Sequence, residues 1–128
     1  IDTGLRKKLV GITGSIYRPL DNVFQITEAI EALSSAVTQM CSPYAKAFLA
    51  LLGVSYIQPF EDGNKRSARL MANALLLAHG CAPLSYRSID EDAYREAILV
   101  CYELRVMSPL KNLFIEQYMF AAQNYAAR

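Results

Sequence analysis

The chain predicts an all-α fold, a helical bundle, and three observations carry that reading. Apolar residues recur at three- and four-residue spacing through most of its length. Two Ser-Pro pairs, Ser42-Pro43 and Ser108-Pro109, have the form of a helix cap followed by proline at the first helical position. The stretch with β character is short and lies near the N-terminus. With 128 residues of which 53% are hydrophobic, the chain has enough apolar mass for one packed core and too much for a disordered segment. We read residues 1–128 as a single domain. It opens at Ile1 rather than Met, which predicts a piece of a longer protein.

The elements follow in order. Leu5 to Val10 reads equally as the end of a helix or the start of a strand. Val10 to Tyr17 alternates weakly, with β-branched residues and a central glycine, and suits a short hairpin turning near Gly14 or a plain loop. Ile26, Ile30, Leu33, Val37 and Met40 then lie on one face of a first helix, capped by Asn22 with Gln25. A second helix, from Tyr44 to about Ile57, is apolar on nearly every side through Phe48, Leu49, Leu51, Leu52, Val54 and Ile57, which places it in the middle of the bundle. Lys46 is its single charge and reads as a solvated or snorkelling side chain. A third helix runs from Asn64 to His79, where Gly80 stops it and Pro83 follows. Ser88 to Glu91 reads as a capping box for a fourth helix ending near Arg105, with Tyr94, Ile98, Cys101 and Tyr102 on its inner face. A fifth runs from Ser108-Pro109 to about Tyr125, with Phe114, Tyr118, Ala121, Ala122 and Tyr125 directed inward.

Composition excludes several functions. A net charge of +1 gives no global field for nucleic acid or for a membrane surface. The apolar runs fall short of a membrane span. Three cysteines, at 41, 81 and 101, have no metal-like spacing. They read as reduced thiols of a cytoplasmic protein, each a small buried hydrophobe.

The chemistry concentrates between the second and third helices, in Gln58-Pro59-Phe60-Glu61-Asp62-Gly63-Asn64-Lys65-Arg66-Ser67-Ala68-Arg69. A polar loop leading directly into a helix offers free backbone N–H groups at the positive end of a helix dipole, a natural seat for phosphate. Arg66 and Arg69 are one turn apart and share a face, which Asn73 continues. A narrow polar stripe on an otherwise apolar helix suits a long polyanion.

This loop resembles the signature of the Fic family, His-Pro-Phe-x-Asp/Glu-Gly-Asn-Gly/Lys-Arg-x-x-Arg. Every defined position but the first is matched, and the likeness extends from about Leu9 to Tyr125, densest at 57–78. The resemblance implies a helical bundle with a small β-hairpin flap that holds a target protein's backbone. Here the flap falls on Ile12, Thr13, Gly14, Ser15, Ile16 and Tyr17, and this decides between hairpin and loop. It further implies transfer of AMP from ATP, with Mg²⁺, to a hydroxyl side chain of a target protein. Carried onto this chain, Asp62 is the metal-binding acid. Gly63, Asn64 and Lys65 form a backbone nest for phosphate oxygens, joined by Arg66 and Arg69, while Asn64 and Arg66 belong with the catalytic position. Asn73 reads either as a ligand contact or as a buried helix–helix hydrogen bond, and Tyr94 either as a wall for adenine or as core.

The first signature position departs from the family. Gln58 stands where the catalytic His takes the proton of the attacking hydroxyl, and an amide has no useful basicity. General-base assistance is worth about 10²–10⁴ in rate. His79, the chain's one histidine, lies at the far end of the third helix. Lys65 in place of the commoner Gly also occurs in the phosphorylating Doc branch, although Doc-type loops carry Ala where this chain has Gly63. Three readings follow: an impaired AMP transferase, an inactive nucleotide- or protein-binding module, and a Doc-like phosphotransferase. The family's inhibitory Ser/Thr-x-x-x-Glu-Gly/Asn segment has no convincing copy in these residues, which leaves it before Ile1, on a partner chain, or nowhere.

Overall fold

The computed structural model describes residues 4–7, 10, 11, 17, 19–86 and 90–126. Five helices follow one another: α1 (Val23–Gln39), α2 (Pro43–Ile57), α3 (Asn64–Ala78), α4 (Glu91–Leu104) and α5 (Ser108–Ala126). No strand occurs among the described residues. Of the expected flap, Ile12, Thr13, Gly14, Ser15 and Ile16 lie outside the described residues. Tyr17 lies within them, in no regular element. Its ring packs at 4.5 Å from Tyr56 and 5.1 Å from Tyr102, and its hydroxyl donates to the Tyr56 carbonyl at 2.8 Å. Tyr17 therefore faces the core.

The helix starts obey local chemistry. The Asn22 side chain accepts from Gln25 N and caps α1, and Ser42 caps α2 with Pro43 at its first turn. The cap of α4 differs from expectation. Asp90 accepts from Asp92 N and Ala93 N, and Glu91 is the first helical residue. Ser88, the residue expected to cap, lies outside the described residues. Asp90 is adjacent to the helix, and its Oδ1 reaches two free N–H groups of the first turn, at 3.0 Å from Asp92 N and 3.2 Å from Ala93 N.

The core is built around α2, which packs most extensively on α3 and also on α1. Ala47, Leu51 and Val54 of α2 meet Ala68, Ala72 and Leu76 of α3, with Leu84 and Phe114 closing the cluster. Small residues along α3 let the two helices approach closely. Leu33 of α1 sits against Gly53, where an added Cβ would lie 2.4 Å from Leu33 Cδ1. A second cluster joins Tyr94, Ala97, Ile98, Cys101 and Tyr102 of α4 to Leu110 of α5. Two expectations change. Lys46 is not simply solvated, because its Nζ donates to the carbonyls of Val37 at 2.8 Å and Thr38 at 3.1 Å, capping the end of α1. Of the cysteines only Cys101 is buried, while Cys81 is half-buried and Cys41 exposed.

Candidate functional site: the N-terminus of α3 and the loop before it

Helix α2 ends at residue 57, and Gln58 turns the chain through the left-handed region, φ 52° and ψ 59°. This conformation is uncommon for a residue with a side chain, and three sets of contacts hold it. Buried Arg6 donates its Nε to the Gln58 carbonyl, its Nη2 to the Ile57 carbonyl at 3.2 Å, and its backbone N–H to the Pro59 carbonyl at 2.8 Å. One residue thus satisfies three successive carbonyls at the negative end of α2. The Gln58 side chain donates Nε2 to the Ser55 carbonyl at 2.7 Å. Asn64, 8% exposed, braces the loop from inside. Its Nδ2 donates to Gln58 Oε1 at 3.1 Å and to the Phe60 carbonyl at 2.8 Å, and its Oδ1 accepts from Phe60 N at 2.9 Å. The Asn64 amide is thus occupied within the loop, and what it offers an anion is its backbone N–H.

Gly63 precedes α3 with φ +78°, and an added Cβ there would meet Arg66 Nη2 at 2.9 Å. Glycine is favoured by conformation, whereas the Arg66 fork is the far end of an exposed side chain that can move aside. No side chain caps α3, and its first intrahelical bond runs from Ser67 N to the Gly63 carbonyl at 2.9 Å. The N–H groups of residues 64–66 therefore form an open first turn. Asp62 and Arg66 flank it, both largely exposed and 4.0 Å apart, too loose and too wet a pair to fix either side chain.

Arg69 is more constrained. Its guanidinium stacks over the rings of Tyr86 at 4.5 Å and Tyr94 at 4.9 Å. Its Nη2 lies 3.3 Å from both oxygens of Glu91. Lys65 reaches the same carboxylate at 2.8 Å. Hydrogen bonding from Lys65, helped by Arg69, holds the Glu91 carboxyl below the usual carboxylate range. Burial pushes the hydroxyls of Tyr86 and Tyr94 above the ordinary tyrosine value, against the opposing pull of Arg69. Both stay neutral in the physiological range.

The structure therefore brings Asp62, Gly63, Lys65, Arg66 and Arg69 to one end of α3. Tyr94, 4% exposed, is part of the core and stacks on Arg69. Asn73 lies further along α3, with its amide paired to the Leu84 backbone through bonds of 3.0 and 2.7 Å. His79 is the C-cap at the opposite end. An open groove of about 640 Å³ runs between residues 4–7 and the loop, with Glu61 and Asp62 on its wall. Among the described residues no group of three or more His, Cys, Asp or Glu side chains could hold a metal ion, and no helix is long and apolar enough to cross a membrane. Sequence reading missed Arg6, an isolated arginine in an unpatterned segment, and Tyr86. It placed Glu91 at a helix start without signalling its partners on α3.

Comparison with known proteins bears on the family and the fold. The family model described as Fic/DOC matches residues 3–76. The chain is 36% identical over 78 residues to a protein adenylyltransferase Fic of Nematostella vectensis, covering 61% of this chain and 18% of that protein. It is 30% identical over 60 residues to the protein adenylyltransferase fic-1 of Caenorhabditis briggsae, covering 47% of this chain and 12% of that one. The chain thus spans less than a fifth of the length of these two relatives. The fold resembles the crystal structure of BepC, a VirB-translocated effector from Bartonella tribocorum with bound AMPPNP, at a TM-score of 0.72 and 20% identity over 88% of this chain and 56% of that one. It also resembles the type IV secretion effector BepA, at 0.65 and 21%, over 84% and 38%. A family match over more than half of its residues, on a fold that sets the signature loop at a helix N-terminus, establishes that this chain belongs to the Fic/DOC family.

Proposed function

We propose that this chain binds the phosphates of ATP at the N-terminus of α3 and supports AMP transfer to a hydroxyl of a target protein, slowed by Gln58. The observation that carries the reading is the uncapped first turn of α3 behind Gly63, ringed by Lys65, Arg66 and Arg69. The nest fits a phosphate group, since the backbone comes close only because Gly63 lacks a Cβ. Mg²⁺ is commonly held by one or two carboxylates together with substrate phosphates. Asp62, with its side chain 98% exposed, fits that mode, and the metal would neutralise phosphate charge there. The family relatives named as adenylyltransferases support the choice of AMP as the transferred group.

In this reaction the target hydroxyl oxygen bonds to the α-phosphorus, pyrophosphate leaves, and the hydroxyl proton is lost. The residues of the chain hold the phosphates and orient the loop. Arg66, with an exposed fork only loosely paired to Asp62, meets phosphate oxygens as bidentate charge-assisted bonds. Gln58 contributes an oxygen that accepts a hydrogen bond and no basic group, so the proton passes to water at a cost of about 10²–10⁴ in rate.

A second reading has its own observation. The Gln58 amide is committed at both ends, to Ser55 and to Asn64, which suits a loop kept for binding rather than turnover. Incubation with ATP labelled at the α- or the γ-phosphate, in the presence of lysate, separates the cases. AMP transfer leaves the α-label on protein, and a Doc-like phosphotransfer leaves the γ-label. Nucleotide binding with neither label transferred identifies the binding module.

A further inference from the structure

Arg69 is held by rings more than by charge. Its Cζ lies 4.5 Å from the centroid of the Tyr86 ring and 4.9 Å from that of Tyr94. The side chain is 17% exposed, and its Nε is buried without a hydrogen-bond partner among the described residues. The Glu91 carboxylate reaches it at 3.3 Å, but that group is half-exposed, and such pairs contribute little in water. An unrestrained arginine samples many rotamers, and rings packed on the guanidinium remove part of that freedom before any ligand arrives.

The two rings reach Arg69 by different routes. Tyr94 belongs to α4 and is buried in the second core cluster. Tyr86 lies in the segment between α3 and α4, and α3 itself fixes that segment. Asn73 is one turn along from Arg69 on the same helix face. Its Nδ2 donates to the Leu84 carbonyl at 3.0 Å, and its Oδ1 accepts from Leu84 N at 2.7 Å. Leu84 is buried in the first core cluster, and Tyr86 packs against that cluster. Asn73 thus sets the course of the chain two residues before Tyr86. The Tyr86 hydroxyl is buried with no hydrogen-bond partner among the described residues, so the ring is what this position uses.

We propose that Tyr86 is a positioning residue, which holds the Arg69 fork ready for a phosphate group and acts through Arg69 alone. The inference rests on the reading that Arg69 meets phosphate at the N-terminal end of α3. The rotamer freedom of Arg69 is then given up on folding rather than on binding, and the anion binds the tighter for it. A ring covers a face of the guanidinium, while a phosphate meets its N–H groups edge-on, so the two contacts are compatible.

The test is calorimetric titration with tripolyphosphate at fixed pH and ionic strength. This probe carries no base, so stacking of adenine on Tyr86 plays no part. The parent is compared with Tyr86→Leu, Tyr86→Phe, Arg69→Met and the double variant Tyr86→Leu/Arg69→Met, each well below its own melting temperature. Tyr86→Leu is expected to weaken binding about tenfold, and Tyr86→Phe, which keeps the ring, to recover most of that loss. In the Arg69→Met background Tyr86→Leu should change nothing further. A merely structural role would not give that pattern, because a distorted loop weakens binding with or without Arg69. An independent readout is the NMR order parameter of the Arg69 Nε–H in ligand-free protein, which should fall in Tyr86→Leu and return in Tyr86→Phe. An unchanged order parameter, an equal loss in both backgrounds, or parent-like binding by Tyr86→Leu while Arg69→Met loses affinity would overturn the role of Tyr86. Parent-like binding by Arg69→Met, or no binding by the parent, would instead remove the assignment of phosphate to Arg69, and the inference with it.

Discussion

Asn64 Nδ2 donates to Gln58 Oε1 at 3.1 Å across the signature loop, so the residue that begins the loop and the one that opens α3 hold each other in place. The bond ties the position expected to receive a proton to the turn expected to receive phosphate. A substitution at 58 is therefore read at a site whose surroundings are already organised.

The first prediction is a gain of function. His is among the residues that tolerate the left-handed conformation found at 58, and its imidazole supplies the missing proton acceptor near pH 7. Gln58→His is expected to raise AMP transfer by about 10²–10⁴ with little change in nucleotide affinity. The gain should fade below about pH 6 as the imidazole protonates. Parent and variant assayed together with α-labelled ATP and lysate decide it. Equal activity in the two would point to another base, and Glu61, on the wall of the adjoining groove, is the next residue to replace.

Ligand-linked stability provides the second prediction. Millimolar Mg·ATP should raise the melting temperature of the parent by mass action, and Arg69→Ala should remove most of that increment. Arg69 also packs on Tyr86 and Tyr94, so the variant will melt lower even without ligand. The informative quantity is the ligand-induced shift measured against each protein's own baseline. A full shift in Arg69→Ala would show that the nucleotide does not use this arginine.

Arg6 leads to the third. Removing it strands the carbonyls of Ile57 and Gln58 in a buried place, and an unsatisfied buried acceptor costs about 1–3 kcal/mol. Arg6→Ala should therefore lower unfolding free energy by roughly 3 kcal/mol in a urea titration. Arg6→Lys should recover only part of it, because an ammonium lacks the fork that reaches two successive carbonyls. A loss below about 0.5 kcal/mol would mean that water satisfies these carbonyls.

The fourth concerns pH. The carboxyl of Glu91 is held below its ordinary value by Lys65 and then by Arg69. A depressed carboxylate contributes stability that is present above its unfolded pKa, about 4.3, and is lost as pH falls through the lower folded value. The parent should thus lose stability below about pH 4 more steeply than Glu91→Gln, and the two curves should converge at the acid end. The pair is half-exposed, so the difference is small and shrinks with added salt. Parallel curves from pH 7 to pH 3 would show that Glu91 gains nothing from its partners in solution.

The sequence by itself determined the five helices, the central place of α2, the inner face of α4 and the identity of the signature loop. These follow from periodicity, from Asn22 and Ser42 as caps, and from a glycine whose conformation no other residue adopts without strain. Each is set by neighbours within a few positions, so each is written in local order. The tertiary structure alone decided which residues from distant segments meet. Arg6 reaches the end of α2 across 52 positions, and Glu91 reaches Arg69 across 22. Tyr17 turns inward onto Tyr56 and Tyr102. A long polar side chain announces a charge in the sequence but not its partner, because the partner is fixed by how helices pack, and packing is settled by apolar surfaces that those charges do not belong to.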